Sequence, residues 1–449
     1  MNRSNQRSNT RTVPGLASRL AAAKLVEQVF EHSASLDSLT GSKGLPEFLM
    51  LDLADQQLAR AIATTALRQH ALIRSALGEL LDRPLPRKAI FLSAILDIAA
   101  AQILFMNAPQ SAAVNLAVSL ASNDHRTKRF SALVNALLRR MCAERDRLLE
   151  IEPAPPSAFS PWLAGKIARD HGREKLAAIS RAIRETPLID ITARPGAVLA
   201  FDDVDCLTLP NGSVRIRDNR PIAELPGFAD GNWWVQDFAA SLPARLLGDV
   251  KNLKVADLCA APGGKTAQLL SMGADVTAVD SSQRRLVRLR ANMERLRFES
   301  HVVMADILEW GEAEAFDAVL LDAPCTATGT MRRHPEIAFN VEQTGLDSLV
   351  QLQRRMIEAA AGMVRTGGVL VYANCSILKD EGENLLATIR KEPGNLRPDP
   401  IRADELPLGL GHLVNGQGAL RTLPCDVPIA MPGWGTMDGF FACRFLVDR

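Results

Sequence analysis

The 449-residue sequence is poor in aromatics, with one tyrosine, five tryptophans and 5% aromatic residues in all. That is too few for the base-stacking platform of the common single-strand RNA modules. It has no CxxC pair: Cys142, Cys206, Cys259, Cys325, Cys375, Cys425 and Cys443 stand far apart. A zinc ribbon and a CxxC redox dithiol are therefore excluded, the histidines show no metal spacing, and reduced thiols are the natural reading. Net charge is almost absent, with 52 basic against 51 acidic residues. There is no internal repeat. The first twelve residues are rich in Asn, Ser and Arg with no apolar core after them, so no secretory signal is read there. One run, Ala89 to Met106, nears the length of a membrane span, but it contains Asp97 and Gln102. An Asp near a span centre costs roughly 2.5–3.5 kcal/mol, and the neighbouring segments are amphipathic, so a buried bundle helix is expected. The expectation is a cytoplasmic protein with no metal and no membrane partner.

What is present is the balance of an ordinary globular chain, 47% apolar and 23% charged, long enough for two to four domains. Charge is unevenly placed: residues 1–150 carry net +6 and the remainder net −5. A basic N-terminal third suits a polyanion-facing module. That third reads as helix, with apolar positions recurring at Leu58, Ala61, Ile62, Thr65, at Phe91, Ala94, Ile95, Ile98, and at Val134, Leu137, Leu138, Met141. Breakers separate them, and Ile151 to Pro156 reads as a linker. A helical pattern from Pro161 to about Arg184 and strand-like segments at Leu188–Ala193 and Ser213–Arg217 make residues 151–236 a linker with a small α+β segment. From residue 237 to 449, strand and helix alternate. The short apolar runs Leu253–Leu258, Val276–Val279, Val302–Ala305, Ala318–Leu321 and Val369–Tyr372 suit a parallel sheet covered on both faces. Ligands of such a doubly wound sheet belong at the carboxyl ends of its strands.

The sharpest segment is Asp257 to Thr266, DLCAAPGGKT, directly after an apolar run. Gly263 and Gly264 permit close backbone approach at the start of a helix. A phosphate-cradling loop would need Gly at 259, where Cys259 stands, and a GxGxxG fingerprint is absent. The next two strands end at Asp280 and Asp306. One acid at a strand end is a common solvated cap; three around a glycine turn point to a nucleoside without a polyphosphate. Two cysteines also fall at strand exits, in Asp322-Ala-Pro-Cys325 and Asn374-Cys375-Ser376. A single cysteine is most often a buried small hydrophobe. Two at strand exits facing one crevice are nucleophile candidates, provided a thiolate can form.

This set, DLCAAPGGKT with Asp280, Asp306, DAPC and NCS, resembles the S-adenosylmethionine-dependent RNA cytosine-C5 methyltransferases. The run from Asp322 to Ile337 looks specifically like the RsmB (Sun) type that modifies bacterial 16S ribosomal RNA. Ala113-Val-Asn-Leu-Ala117 and Leu133 to Arg140 resemble the NusB-like helical RNA-binding domain of that type. The resemblance implies an all-α NusB-like domain, a small α+β middle segment and a Rossmann-like methyltransferase domain. It implies that Cys259, Ala260, Ala261, Pro262, Gly263, Gly264 and Lys265 form the S-adenosylmethionine loop. Asp280 would hold the ribose hydroxyls, Asp306 the adenine, and Asp322 would lie beside the methyl group and the target base. Cys375 would be the nucleophile and Cys325 the cysteine that assists release. The substrate implied is 16S ribosomal RNA or a small-subunit assembly intermediate, at the cytosine in position 967. Asn374 stands where that family usually has Thr, and Asp190 and Thr192 replace its usual Arg and Asn.

The chemistry requires these groups. C5 of cytosine is too poor a nucleophile to take a methyl group from a sulfonium, and addition of a thiolate at C6 makes it an enamine-like one. The base must be flipped out to present both faces. Arg332, Arg333 and His334 follow the DAPC loop and are candidate RNA contacts, as are Arg139 and Arg140 in the N-terminal third. Arg284, Arg285, Arg288, Arg290, Arg295 and Arg297 lie along one helix, where a solvated face is the plainer reading. Two other classes share parts of the pattern. A non-catalytic, antitermination-like RNA-binding factor has no use for the two cysteines, and a nicotinamide-dependent dehydrogenase lacks its glycine fingerprint.

Overall fold

The computed structural model describes residues 13–448 except 87, 202, 219, 312, 392 and 393. The chain divides into two compact units, one comprising residues up to Ser160 with His334–Asn340, the other Pro161–Arg333 with Val341–Arg449.

Among the described residues the first unit is built of helices without strands, as the apolar spacing predicts. Its main helices are Leu16–His32, Leu53–Arg68, His70–Leu80, Ile90–Phe105, Gln110–Asn123 and Ser131–Ala143. The Asp52 carboxylate caps the second of these by accepting the Asp55 N–H at 2.8 Å. The segment Ile90–Phe105 is apolar all round because it is buried on nearly every face as the central helix. Among the described residues no helix is long and apolar enough to cross a membrane. Its one acid, Asp97, is fully buried and paired with Arg74 at 2.5 Å. Burial pushes this carboxyl up to about 6 against the pull of Arg74. His70 lies 3.9 Å from Asp97, with its ring against those of Phe30 and Phe339. The inserted segment His334–Asn340 belongs to this unit through contacts of its own: the buried Glu336 accepts the Leu36 N–H at 3.0 Å, and Asn340 donates to the Ala34 carbonyl at 3.1 Å.

The second unit opens with a helix over Pro161–Ala182, interrupted at Gly172, where φ is 85°. A four-stranded antiparallel sheet follows, built from β1 (Ile189–Ala193), β2 (Asp205–Thr208), β3 (Val214–Arg217) and β4 (Trp233–Val235) in the order β2-β3-β1-β4. The second sheet contains β5 (Lys254–Leu258), β6 (Asp275–Asp280), β7 (His301–Met304), β8 (Phe316–Asp322), β9 (Val364–Asn374), β10 (Leu396–Pro398), β11 (Leu420–Thr422) and β12 (Phe440–Val447). Its order is β10-β12-β9-β8-β5-β6-β7, with β11 also on β12. Strands β5 to β9 are parallel, as their short apolar runs predict. The sheet is nevertheless mixed, because β12 pairs antiparallel with β9 and carries β10 and β11. The chain leaves β5 toward β6 on one side and later returns to β8 on the other, so the switch point lies at the carboxyl end of β5.

His70 gives this fold a measurable acid limb. Burial, with Arg74 adding to it, holds its imidazole down near 3. The unfolded chain therefore binds a proton below about pH 6.5 that the folded one refuses. This contribution to stability is complete above pH 6.5 and is lost as pH falls toward 3. His70→Phe, which keeps the ring contacts, should show a smaller drop in melting temperature between pH 7 and pH 4.5 than the unsubstituted protein.

Candidate active site

The carboxyl ends of four parallel strands meet at the switch point. Leu258 is in register with Val279 and with Leu321, and Asp322 with Ala373. Cys259, Asp280, Asp322 and Asn374 thus fall along one edge of the sheet, with Asp306 two residues beyond β7. Leaving β5, the chain turns sharply: Cys259 takes a left-handed φ of 62°, and Gly263 has φ 102°. A Cβ on Gly263 would sit 3.0 Å from Leu289, so this position needs glycine on both counts, whereas Gly264 faces open space. The helix Gly264–Ser271 starts there.

Asp280 is buried at the end of β6 and accepts the N–H of Ala261 at 3.2 Å and of Ser282 at 2.9 Å. The Arg285 guanidinium is 3.4 Å away and also donates to the Ala261 carbonyl. Arg285 therefore braces the loop. Arg295 is likewise engaged, over the Phe228 ring and with the carbonyls of Phe228 and Trp233. Asp306 accepts the Leu308 N–H at 3.0 Å. Lys265 reaches Asp322 at 2.7 Å; burial alone would lower its ammonium, but Asp322 outweighs that and holds it above the ordinary value. Asp257 is fully buried and takes the Thr266 hydroxyl at 2.6 Å, while its other oxygen has no hydrogen-bond partner among the described residues. Burial pushes this carboxyl up to about 7 and, with Asp322 and Asp280 nearby, the Cys259 thiol up to about 12. An orphaned buried oxygen, a Cβ-free turn and carboxylates at three strand ends fit a nucleoside-bearing cation.

The two candidate cysteines come together. Cys325 Sγ and Cys375 Sγ are 3.5 Å apart. The hydrogen bond with Cys375, followed by burial, raises the Cys325 thiol well above its usual range. Asn374, at the family's usual Thr position, is fully buried; its amide donates to the Glu381 carbonyl at 2.7 Å and the Tyr372 hydroxyl at 2.9 Å. Its oxygen accepts the Ser376 N–H at 2.9 Å, so the residue shapes the Cys375 loop from behind.

The basic residues expected to face RNA do not form one set. Arg332 is 2% exposed and bonds Asp438 at 2.8 Å and Asp237 at 2.9 Å, so its guanidinium is used inside the protein. Arg333 shares the same two acids at 3.0 and 2.7 Å but keeps a quarter of its side chain exposed. Burial pushes Asp237 up, yet the charges of Arg333 and Arg332 carry it down to about 2. His334 belongs to the helical unit, 4.0 Å from Asp37 and from Glu336. Arg139 and Arg140 are exposed on the helix Ser131–Ala143. The departure at Asp190 is answered locally: this buried acid takes a bidentate pair from Arg215 at 2.6 and 2.8 Å and the Phe238 N–H at 2.9 Å. Thr192 bonds Ser213 at 3.2 Å and Gln236 at 3.3 Å. Asp237, Asp438, Gln353 and Glu381 were not legible from local sequence, because each acquires its meaning from a partner distant in the chain. Among the described residues no cluster of metal-ligating side chains occurs.

Residues 244–446 match the family described as 16S rRNA methyltransferase RsmB/F, and residues 16–143 match the NusB family. Ribosomal RNA small subunit methyltransferase B of Xylella fastidiosa (strain Temecula1) is 32% identical over 97% of this chain and 99% of the relative. The protein of the same name from Xanthomonas campestris pv. campestris is 33% identical over 96% of this chain and 97% of its own length. Among solved structures, that of PH0851 is similar with a TM-score of 0.68 at 21% identity, covering 97% of this chain and 99% of that one. NSun6 from Pyrococcus horikoshii with SFG gives 0.54 at 20% identity, covering 65% and 99%. These two likenesses concern the fold.

Asp280→Ala should weaken S-adenosylmethionine binding by about 1–3 kcal/mol, roughly five- to 150-fold in Kd, the loss expected for a buried carboxylate that receives a pair of hydroxyls. Calorimetric titration measures it, and an unchanged Kd would place the ribose elsewhere.

Proposed function

Because the chain belongs to the RsmB/F family of 16S rRNA methyltransferases and is an S-adenosylmethionine-dependent rRNA (cytosine-C5) methyltransferase, we propose that it methylates C5 of cytosine 967 of 16S ribosomal RNA through a covalent adduct on Cys375. The observation that carries the mechanism is the pair of sulfurs 3.5 Å apart at the exits of β8 and β9, beside Asp322. The substrate is 16S RNA, free or in a small-subunit assembly intermediate, met in the cytoplasm. Residues 1–150 serve as the RNA-binding domain, 151–236 as a linker and small RNA-binding segment, and 237–449 as the catalytic domain. Arg139, Arg140, Arg333 and His334 contact the RNA, and Arg332 holds Arg333 in place from within the acid pair.

S-adenosylmethionine supplies the methyl group, and Cys259 to Lys265, Asp280, Asp306 and Asp322 hold it. Cys375 gives its thiol proton to solvent and its sulfur adds to C6 of the flipped base, so that the C5–C6 double-bond electrons become available at C5. Asp322, kept in place by Lys265, accepts from the N4 amino group and so orients the flipped base for addition. C5 would then take the methyl group that bound S-adenosylmethionine would supply, the sulfonium sulfur keeping the electron pair of the broken bond. The C5 proton must then depart, its electron pair re-forming the C5–C6 double bond and expelling the Cys375 sulfur. Cys325, whose thiol is held protonated, gives its proton to that departing sulfur and takes the C5 proton in exchange. One proton per turnover reaches solvent.

The two cysteines should therefore fail differently when replaced. Cys375→Ala should lose methyl transfer while binding cofactor normally, and should never hold RNA through denaturation. Cys325→Ala should still add and methylate but release slowly, leaving an RNA-linked band on a denaturing gel that the added Cys375→Ala change erases. Normal turnover by Cys325→Ala without a linked species would reduce Cys325 to a packed core thiol.

A further inference from the structure

Glu381 lies in the short turn Lys379–Glu381 that follows the Cys375 loop, and it is fully buried. A carboxyl group taken out of water demands donors, and three converge on this one. The Thr326 N–H reaches Oε1 at 2.9 Å, the Thr326 hydroxyl reaches Oε2 at 2.5 Å, and the Gln353 amide reaches Oε1 at 2.9 Å. Thr326 immediately follows Cys325, and Gln353 also bonds the carbonyl of Pro324, immediately before it, at 2.9 Å. The side chain of Glu381 thus grips the Cys325 loop on both sides of the thiol. Its main-chain carbonyl grips the other loop, accepting from Asn374, next to Cys375, and from Tyr372 at 2.9 Å.

The grip has something to oppose. Ala327 holds a left-handed φ of 54°, a conformation that a residue with a Cβ keeps only when its surroundings impose it. A row of hydroxyls then stitches the two loops: Thr326 and Thr328 each lie 3.1 Å from Ser376 Oγ, and Thr328 accepts the Ile377 N–H at 3.1 Å. Gly329 closes the stitch by donating to the Cys375 carbonyl at 2.8 Å, where a Cβ would come within 2.7 Å of the same oxygen.

We propose that Glu381 is a positioning residue that sets the separation of the Cys325 and Cys375 sulfurs by holding both cysteine loops at once. Its side chain and carbonyl bond the two cysteine loops and the residues that flank them. The proposal rests on the two-cysteine reading above for its catalytic meaning, but the separation it sets is measurable without catalysis. Phenylarsine oxide joins two thiols only when they are close: two As–S bonds form and the arsenic-bound oxygen leaves as water, taking both thiol protons.

The test titrates the full-length protein with phenylarsine oxide, using Cys325→Ala and Cys375→Ala as the backgrounds without the pair. The unsubstituted protein should bind one equivalent that both controls lack. Glu381→Gln, which keeps shape but gives up a carboxylate acceptor, should lose about tenfold or more in that affinity with its S-adenosylmethionine Kd unchanged. Thr326→Val, which removes only the hydroxyl donor, should lose affinity in the same direction, and Thr326→Ser should restore it. With RNA and cofactor, Glu381→Gln should also accumulate the linked species. Unchanged arsenical affinity in Glu381→Gln overturns the proposal. Should that variant lose cofactor binding, Thr326→Val decides, and wild-type arsenical affinity there overturns it equally. If Cys325→Ala gives no RNA-linked band while the arsenical losses occur as expected, the release role of Cys325 fails and the positioning role of Glu381 stands.

Discussion

Two buried carboxylates and the two guanidiniums that neutralise them, one enclosed and one partly exposed, can be tolerated only as a set, and the second unit is organised around one such set. Asp237 and Asp438 each bond both Arg332 and Arg333, and Asp237 also takes the Asp438 N–H at 3.1 Å. Removing any one member strands its partners in low dielectric, where the cost of a broken buried pair is about 3–5 kcal/mol. The four residues come from the start of the α/β region, the end of the DAPC segment and the approach to β12. Their mutual neutralisation therefore fixes where the Cys325 loop ends and where the last strand begins. The cysteine pair, the Lys265–Asp322 contact and the Glu381 grip all operate inside that frame.

Much of this was readable in the sequence because its signals are local. Strands β5 to β9 announce themselves as short apolar runs with acids or cysteines at their exits; β5 to β8 end within two residues of those runs, and β9 is longer than its run by seven, reaching Val364–Asn374. The glycine turn after β5 is legible for the same reason. Strands β10 and β11 have three residues each, too short for any period to show, and β12 follows a Gly- and Pro-rich stretch that reads as loop. Strands β2 and β4 are short in the same way.

Charge is where local reading runs out. Arg332 and Arg333 look alike beside the DAPC motif, yet one is enclosed and the other partly exposed, and only acids about a hundred positions away decide it. Glu381 reads as one member of an acidic turn, and its donors sit at 326 and 353. Asp190 reads as a departure from a family pattern until Arg215 is found beside it with matched geometry. His334–Asn340 likewise carries no periodic signal, being a turn and a four-residue helix, and its place in the helical unit follows from Glu336, Phe339 and Asn340 finding partners near Leu36, Phe30 and Ala34.

The antiparallel pairing of β12 with β9 places Phe441 opposite Asn374 and Ala442 opposite Ala373. The strand that leads into Cys375 is thus completed by residues that the ribosome adds some seventy positions later. Until those residues are made, β9 has an open edge and Asp438 has not yet joined Asp237. Assembly of this edge of the sheet therefore depends on segments far apart in the sequence and does not proceed strand by strand in chain order.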